Sequence, residues 1–89
     1  MERFDCNCGG IVRKAYLVAV KIDTAGPLIE AYPCMKCKKL YCPENNSQIL
    51  DENGNECFLI NQECIVKDNQ GKTILVTQAL PVPIDEDAT

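Results

Sequence analysis

Hydrophobic and polar positions alternate along most of this chain with a period near two, the signature of half-buried strands. Residues 11–22 read as one long strand. Val12, Tyr16, Val18, Val20 and Ile22 share one face, and Ile11, Arg13, Ala15, Leu17 and Lys21 share the other. Asp23-Thr24-Ala25-Gly26-Pro27 supplies turn residues, residues 28–32 return as a shorter strand, and Leu40-Tyr41-Cys42 makes a third. Farther on, residues 48–50 and 57–60 flank Asn53-Gly54, a short hairpin signal. Residues 64–68 and 72–80 flank Asn69-Gln70-Gly71, which suits a three-residue loop with glycine in the left-handed position. Pairing Asp68 with Lys72 places Cys64, Val66, Ile74 and Val76 on one face. Pro81-Val82-Pro83 cannot continue a central strand, and residues 85–89 read as an acidic tail. The pattern predicts an all-β protein with no long helix and no repeat.

Length changes the picture. A chain of 89 residues makes one small domain, and such a chain buries only ~60–65% of the surface its unfolded form exposes. Its core is therefore marginal. With 46% hydrophobic and 25% charged residues, the balance is that of an ordinary folded domain. The turn-rich segment Pro43-Glu44-Asn45-Asn46-Ser47 sets a soft internal boundary. Residues 1–43 and 44–84 are read as two β subdomains, followed by the tail at 85–89. No apolar stretch, the run at residues 16–20 included, approaches the ~20 residues a membrane span needs. No basic segment followed by an apolar one opens the chain, so no signal peptide is expected.

Seven cysteines supply a remedy for the small core. An odd count without a signal sequence points to a reducing, intracellular (cytoplasmic) compartment and to metal thiolates, not to a secreted disulfide framework. Cys6-Asn7-Cys8-Gly9-Gly10 and Cys34-Met35-Lys36-Cys37 are close pairs separated by a hairpin-forming segment, the arrangement a tetrahedral ion requires. Gly9 and Gly10 permit left-handed backbone just past a ligand, so that amides turn toward sulfur. The chain has no histidine. A closed zinc site must then be all-cysteine or recruit a carboxylate, and Cys6, Cys8, Cys34 and Cys37 are the expected ligands of one structural Zn²⁺. Cys42 is an alternative fourth ligand. Cys57 and Cys64 read as small buried hydrophobes. Iron in a rubredoxin-like site would use the same thiolates, but two Phe, three Tyr and no Trp offer it little shelter.

Cys6, Cys8, Gly9, Cys34 and Cys37 resemble the pattern of a zinc ribbon over roughly residues 4–42. The pattern is also similar to that of the small YgiT-type zinc-finger proteins, which resemble the N-terminal half of MqsA-like antitoxins. The resemblance implies a zinc-holding, three-stranded ribbon in the N-terminal half. Two departures stand out: one residue, not two, separates Cys6 from Cys8, and Lys38 stands where a glycine is usual after Cys37. No helix-turn-helix segment follows, so operator binding is not carried over.

Charge is uneven. Residues 1–43 carry net +3 and residues 44–89 carry net −7. Lys36, Lys38 and Lys39 lie where they could offset a four-thiolate zinc centre of charge near −2, or touch nucleic acid. The acidic second half opposes binding to a phosphate backbone. No histidine base, nucleophile motif or phosphate-cradling loop is present, which argues against catalysis and a small-molecule substrate. The expected function is a non-catalytic protein-interaction or regulatory adaptor with a protein partner and no membrane contact. Alternatives are a structural subunit of a larger assembly, such as a virion or multiprotein machine, and a nucleic-acid-binding ribbon or antitoxin-like regulator.

Overall fold

The computed structural model describes residues 3–14, 16–23 and 25–81. The expected all-β class is borne out: among these residues there are nine strands and no helix. Strands β1 (Arg3–Asp5) and β2 (Ile11–Arg13) form a two-stranded ribbon. Strands β3 (Val18–Val20), β4 (Ile29–Pro33), β5 (Leu40–Tyr41) and β9 (Leu80–Pro81) form a four-stranded sheet in the order β5-β4-β3-β9. Strands β6 (Glu56–Ile60), β7 (Glu63–Lys67) and β8 (Thr73–Gln78) form a meander. No helix among the described residues is long and apolar enough to cross a membrane.

The expected single strand over residues 11–22 is two strands. The chain turns after Arg13, whose carbonyl accepts from the Tyr16 amide at 3.2 Å. The reason lies in packing. Val12 belongs to one buried cluster, with Cys6, Cys34 and Tyr41. Val18 and Val20 belong to another, with Ala31, Leu40, Cys57, Leu59, Cys64, Val66 and Ala79. A straight strand cannot serve both. Tyr16, placed by alternation on one face with Val12, Val18 and Val20, is exposed while those three are buried. The β3–β4 hairpin does form as expected, with Val18 opposite Ala31 and Val20 opposite Ile29. Pro81 lies on an edge strand, where its missing N–H removes no interior ladder bond. Val82, Pro83 and the acidic tail lie outside the described residues.

Two loops share one chemistry. Asp51 and Asp68 each accept two backbone amides on Oδ1, and Gly54 (φ 84°) and Gly71 (φ 79°) take the left-handed position. Asn53-Gly54 is thus part of a three-residue loop closed by the Asp51 amide and the Asn55 carbonyl, not a two-residue turn. The two-residue turn is Asn61-Gln62, where both residues have positive φ and Ile60 pairs with Glu63.

Asp68 does donate to the Lys72 carbonyl, but a bulge follows. Cys64 pairs with Thr77, Val66 with Leu75, and Lys67 with Thr73, so Ile74 has no opposite number. The expected face of Cys64, Val66, Ile74 and Val76 is therefore corrected to Cys64, Val66, Leu75 and Thr77. Ile74 and Val76 face solvent at 47% and 48% exposure. One extra residue reverses every side chain beyond it. The buried Thr77 hydroxyl donates to the Lys21 carbonyl, which satisfies it.

The meander docks on the segment leaving the second cysteine pair. The Leu59 amide donates to the Lys38 carbonyl at 2.8 Å, and Lys39 Nζ lies 3.0 Å from Glu56 Oε2. Glu56 also accepts from Gln48, and the two contacts hold its carboxyl below the ordinary range. Their stabilisation is present above the ordinary carboxylate range and is lost as pH falls through the lowered value.

Candidate metal centre

The first cysteine pair sits in the turn between β1 and β2. The Cys6 amide donates to the Gly10 carbonyl at 2.9 Å, and the Gly9 amide to the Cys6 carbonyl at 2.9 Å. The second pair sits in the turn between β4 and β5 and repeats the device. The Cys34 amide donates to the Lys39 carbonyl at 2.8 Å, and the Lys38 amide to the Cys34 carbonyl at 3.2 Å. Gly9 (φ 88°) and Lys38 (φ 70°) occupy the same left-handed position just past the second cysteine of each turn. A glycine at that position is natural, and a lysine there is strained. The turns are joined by the Met35 amide, which donates to the Ile11 carbonyl at 3.0 Å, and by a bridge between Val12 and Cys34.

These turns bring the sulfurs of Cys6, Cys8, Cys34 and Cys37 within 4.8 Å of one another. Cys6 and Cys37 sulfurs are 3.5 Å apart, and those of Cys8 and Cys34 are 3.6 Å apart. Both separations are far beyond a disulfide bond of ~2.05 Å. They are close to the ~3.8 Å edge of a tetrahedron with zinc–sulfur bonds of ~2.3 Å. Backbone amides point at the sulfurs. Gly10 N–H donates to Cys8 at 3.4 Å, and Lys36 and Cys37 N–H donate to Cys34 at 3.4 and 3.5 Å. Such donors spread the charge of a thiolate centre. The donor set, four thiols with amide support, fits a zinc ion.

Electrostatics point the same way. Burial opposes ionisation of Cys6, yet the Cys8 amide and the Tyr41 hydroxyl bring it below the ordinary thiol value. Desolvation also opposes ionisation of Cys8, but the Gly10 amide and hydrogen bonds from the other thiols hold it at about 6. Cys37 goes the opposite way. Burial, followed by its Cys8, Cys6 and Cys34 neighbours, pushes it up to about 12. The first thiolate forms easily and the last is resisted, which is the demand a cation relieves. Burial, then the bond to Cys6, pushes the Tyr41 phenol above its ordinary value and keeps it protonated.

Gly10 differs from the expectation. Its φ is not positive, and space is what requires glycine there. A Cβ on Gly10 would stand 2.6 Å from Lys36 Cβ, 2.9 Å from Cys34 Sγ and 3.3 Å from Cys8 Sγ. Cys42 lies outside the cluster, in a half-buried loop where its amide donates to Ser47 O at 2.7 Å. Cys57 and Cys64 lie in the larger core, outside the cluster. Burial pushes the Cys57 thiol up to about 12 and raises that of Cys64. Cys64→Ala is therefore expected to keep about one zinc per chain while costing about 1–2 kcal/mol in denaturant unfolding. Loss of stoichiometric metal in that variant would refute the core role. Lys36 and Lys38 are exposed, whereas Lys39 is engaged by Glu56.

Sequence reasoning missed Tyr41 as part of this site. It reads as an ordinary strand residue, and its contact with Cys6 spans 35 positions, beyond any local pattern. No protein-family model, curated protein or solved structure matches the chain. The likeness to YgiT-type proteins thus rests on Cys6, Cys8, Gly9, Cys34 and Cys37 alone. The geometry defines a coarser class: a small all-β protein with a four-cysteine cluster able to hold a metal ion, compatible with a zinc ribbon.

Proposed function

We propose that this chain is a small zinc-binding protein in which one structural Zn²⁺ is held by Cys6, Cys8, Cys34 and Cys37, and that it acts as a non-catalytic protein-interaction or regulatory adaptor. The gathering of four sulfurs within 4.8 Å by two matching turns carries the zinc reading. Four thiolates fill a tetrahedral ion and leave no position for water, so the metal supports structure, not hydrolysis. All seven cysteines are free, which suits a reducing compartment.

Contact with protein is supported by Leu50, Ile74 and Val76, apolar side chains that the 48–80 hairpins leave 49%, 47% and 48% exposed. The same feature supports the second reading, a structural subunit of a larger assembly. Nucleic acid is the weaker partner. The ribbon half carries net +3 before the −2 of a four-thiolate zinc centre is counted, and Lys39 is already paired with Glu56.

Metal analysis of protein purified under reducing conditions is expected to find one zinc per chain. A fully folded metal-free protein would sink the reading. An anisotropy titration at about 150 mM salt, where exposed charges are screened beyond ~8 Å, is expected to show feeble nucleic-acid binding. Tight binding there, lost on replacing Lys36, Lys38 and Lys39 together, would promote the nucleic-acid reading instead. Affinity purification from the native source then identifies the partner.

A further inference from the structure

Tyr41 lies on β5, the strand leaving the second cysteine turn, yet its hydroxyl is 2.9 Å from the sulfur of Cys6 in the first turn. The residue is only 6% exposed, and Phe4 of β1 meets its ring edge-on, with centroids 5.3 Å apart and planes at 78°. Packing holds the ring and thereby aims the hydroxyl. The contact is shorter than the 3.4–3.5 Å amide contacts that serve Cys8 and Cys34.

We propose that Tyr41 is an outer-sphere positioning residue of the metal centre, donating its hydroxyl hydrogen to the metal-bound Cys6 thiolate. The inference rests on the four-thiolate zinc reading. A metal-bound thiolate carries no proton, so the hydrogen in this contact belongs to the phenol oxygen. A charge-assisted bond of this kind draws negative charge off sulfur and fixes the side chain's direction. It also ties the first turn to the strand that leaves the second, across 35 positions of chain. Cys6 becomes the quiet ligand of the set, with Cys8 and Cys37 the more exposed ones.

Tyr41→Phe keeps the ring and its contact with Phe4 and removes only the oxygen. In competition with a chromophoric chelator, the variant is expected to bind zinc about 10- to 100-fold more weakly. With cobalt in place of zinc, its sulfur-to-metal charge-transfer bands are expected to move to lower energy, because Cys6 regains electron density. A role limited to packing would leave those bands unmoved. Unchanged affinity and unchanged bands in the folded variant overturn the proposal and leave the zinc reading standing. Wild-type protein that takes up no stoichiometric zinc overturns both. Should the variant fail to fold, wild-type protein loaded with an NMR-active cadmium isotope decides. The Tyr41 hydroxyl proton is then expected in slow exchange and coupled to the metal nucleus; fast exchange without coupling overturns the proposal.

Discussion

Removing zinc with a chelator is expected to unfold residues 4–42 first, and Cys34→Ser to do the same without a chelator. The buried cluster on this side consists of Cys6, Val12, Cys34 and Tyr41, and two of these four belong to the proposed zinc site. Without the ion, only Val12 and Tyr41 remain as ordinary core. Four sulfurs packed this closely also resist ionising together: burial first, and then the neighbouring thiols, push Cys37 up to about 12. Zinc in small sites supplies on the order of 10–16 kcal/mol of apparent free energy. A native domain has only about 0.05–0.15 kcal/mol per residue, so the metal term rivals the stability of the whole chain. Cys34 is the most damaging single position. It is fully buried, accepts two amides and bridges to Val12. Amide hydrogen exchange with and without zinc is the measurement. Protection in β1 to β5 should collapse on metal removal, with β6–β8 following later or not at all. Surviving protection in the cysteine turns would mean that the metal does not hold them.

Gly10→Ala is expected to abolish stoichiometric zinc binding, or to cost about 3 kcal/mol or more where metal is retained, while Gly9→Ala keeps the site. Overpacking usually costs about 1–3 kcal/mol because neighbours give way. Here the neighbours are poorly able to do so. The added methyl meets Lys36 Cβ at 2.6 Å, an atom fixed by the backbone of the second turn, and Cys34 Sγ at 2.9 Å. The two turns would have to separate, and separation pulls apart the sulfurs that share the ion. At Gly9 there is nothing within 4 Å, and the difficulty is the φ of 88° alone. A left-handed alanine costs about 1–2 kcal/mol, which weakens the turn without moving a sulfur. Zinc stoichiometry and denaturant midpoints of the two variants separate the effects. Equal behaviour of the two would remove the steric argument.

The four-cysteine cluster was legible because the information is local. Each turn carries its two cysteines within four residues, and the intervening β3–β4 hairpin announces itself by alternation and by turn chemistry. The Asp68–Lys72 loop was legible for the same reason. Other features were not, because they depend on what lies across from a residue. Residues 11–22 alternate well enough for one strand, and nothing local tells that Val12 and Val18 pack into different clusters. The β7–β8 register looked regular from the loop outward. The bulge at Ile74 reverses it, and the deciding contacts, such as Thr77 with the Lys21 carbonyl, span 56 positions.

Composition, spacing and periodicity by themselves determined an all-β chain too small for a generous core, with two thiol pairs placed for one tetrahedral ion. Tertiary structure alone decided why Gly10 must be glycine, which strand carries the second donor to Cys6, and which apolar residues are left facing outward. The division has a physical cause. Turn geometry and strand alternation arise from backbone sterics over a few residues, and these act wherever the sequence occurs. Close approach between Gly10 and Cys34, or between Tyr41 and Cys6, exists only once the two turns have met.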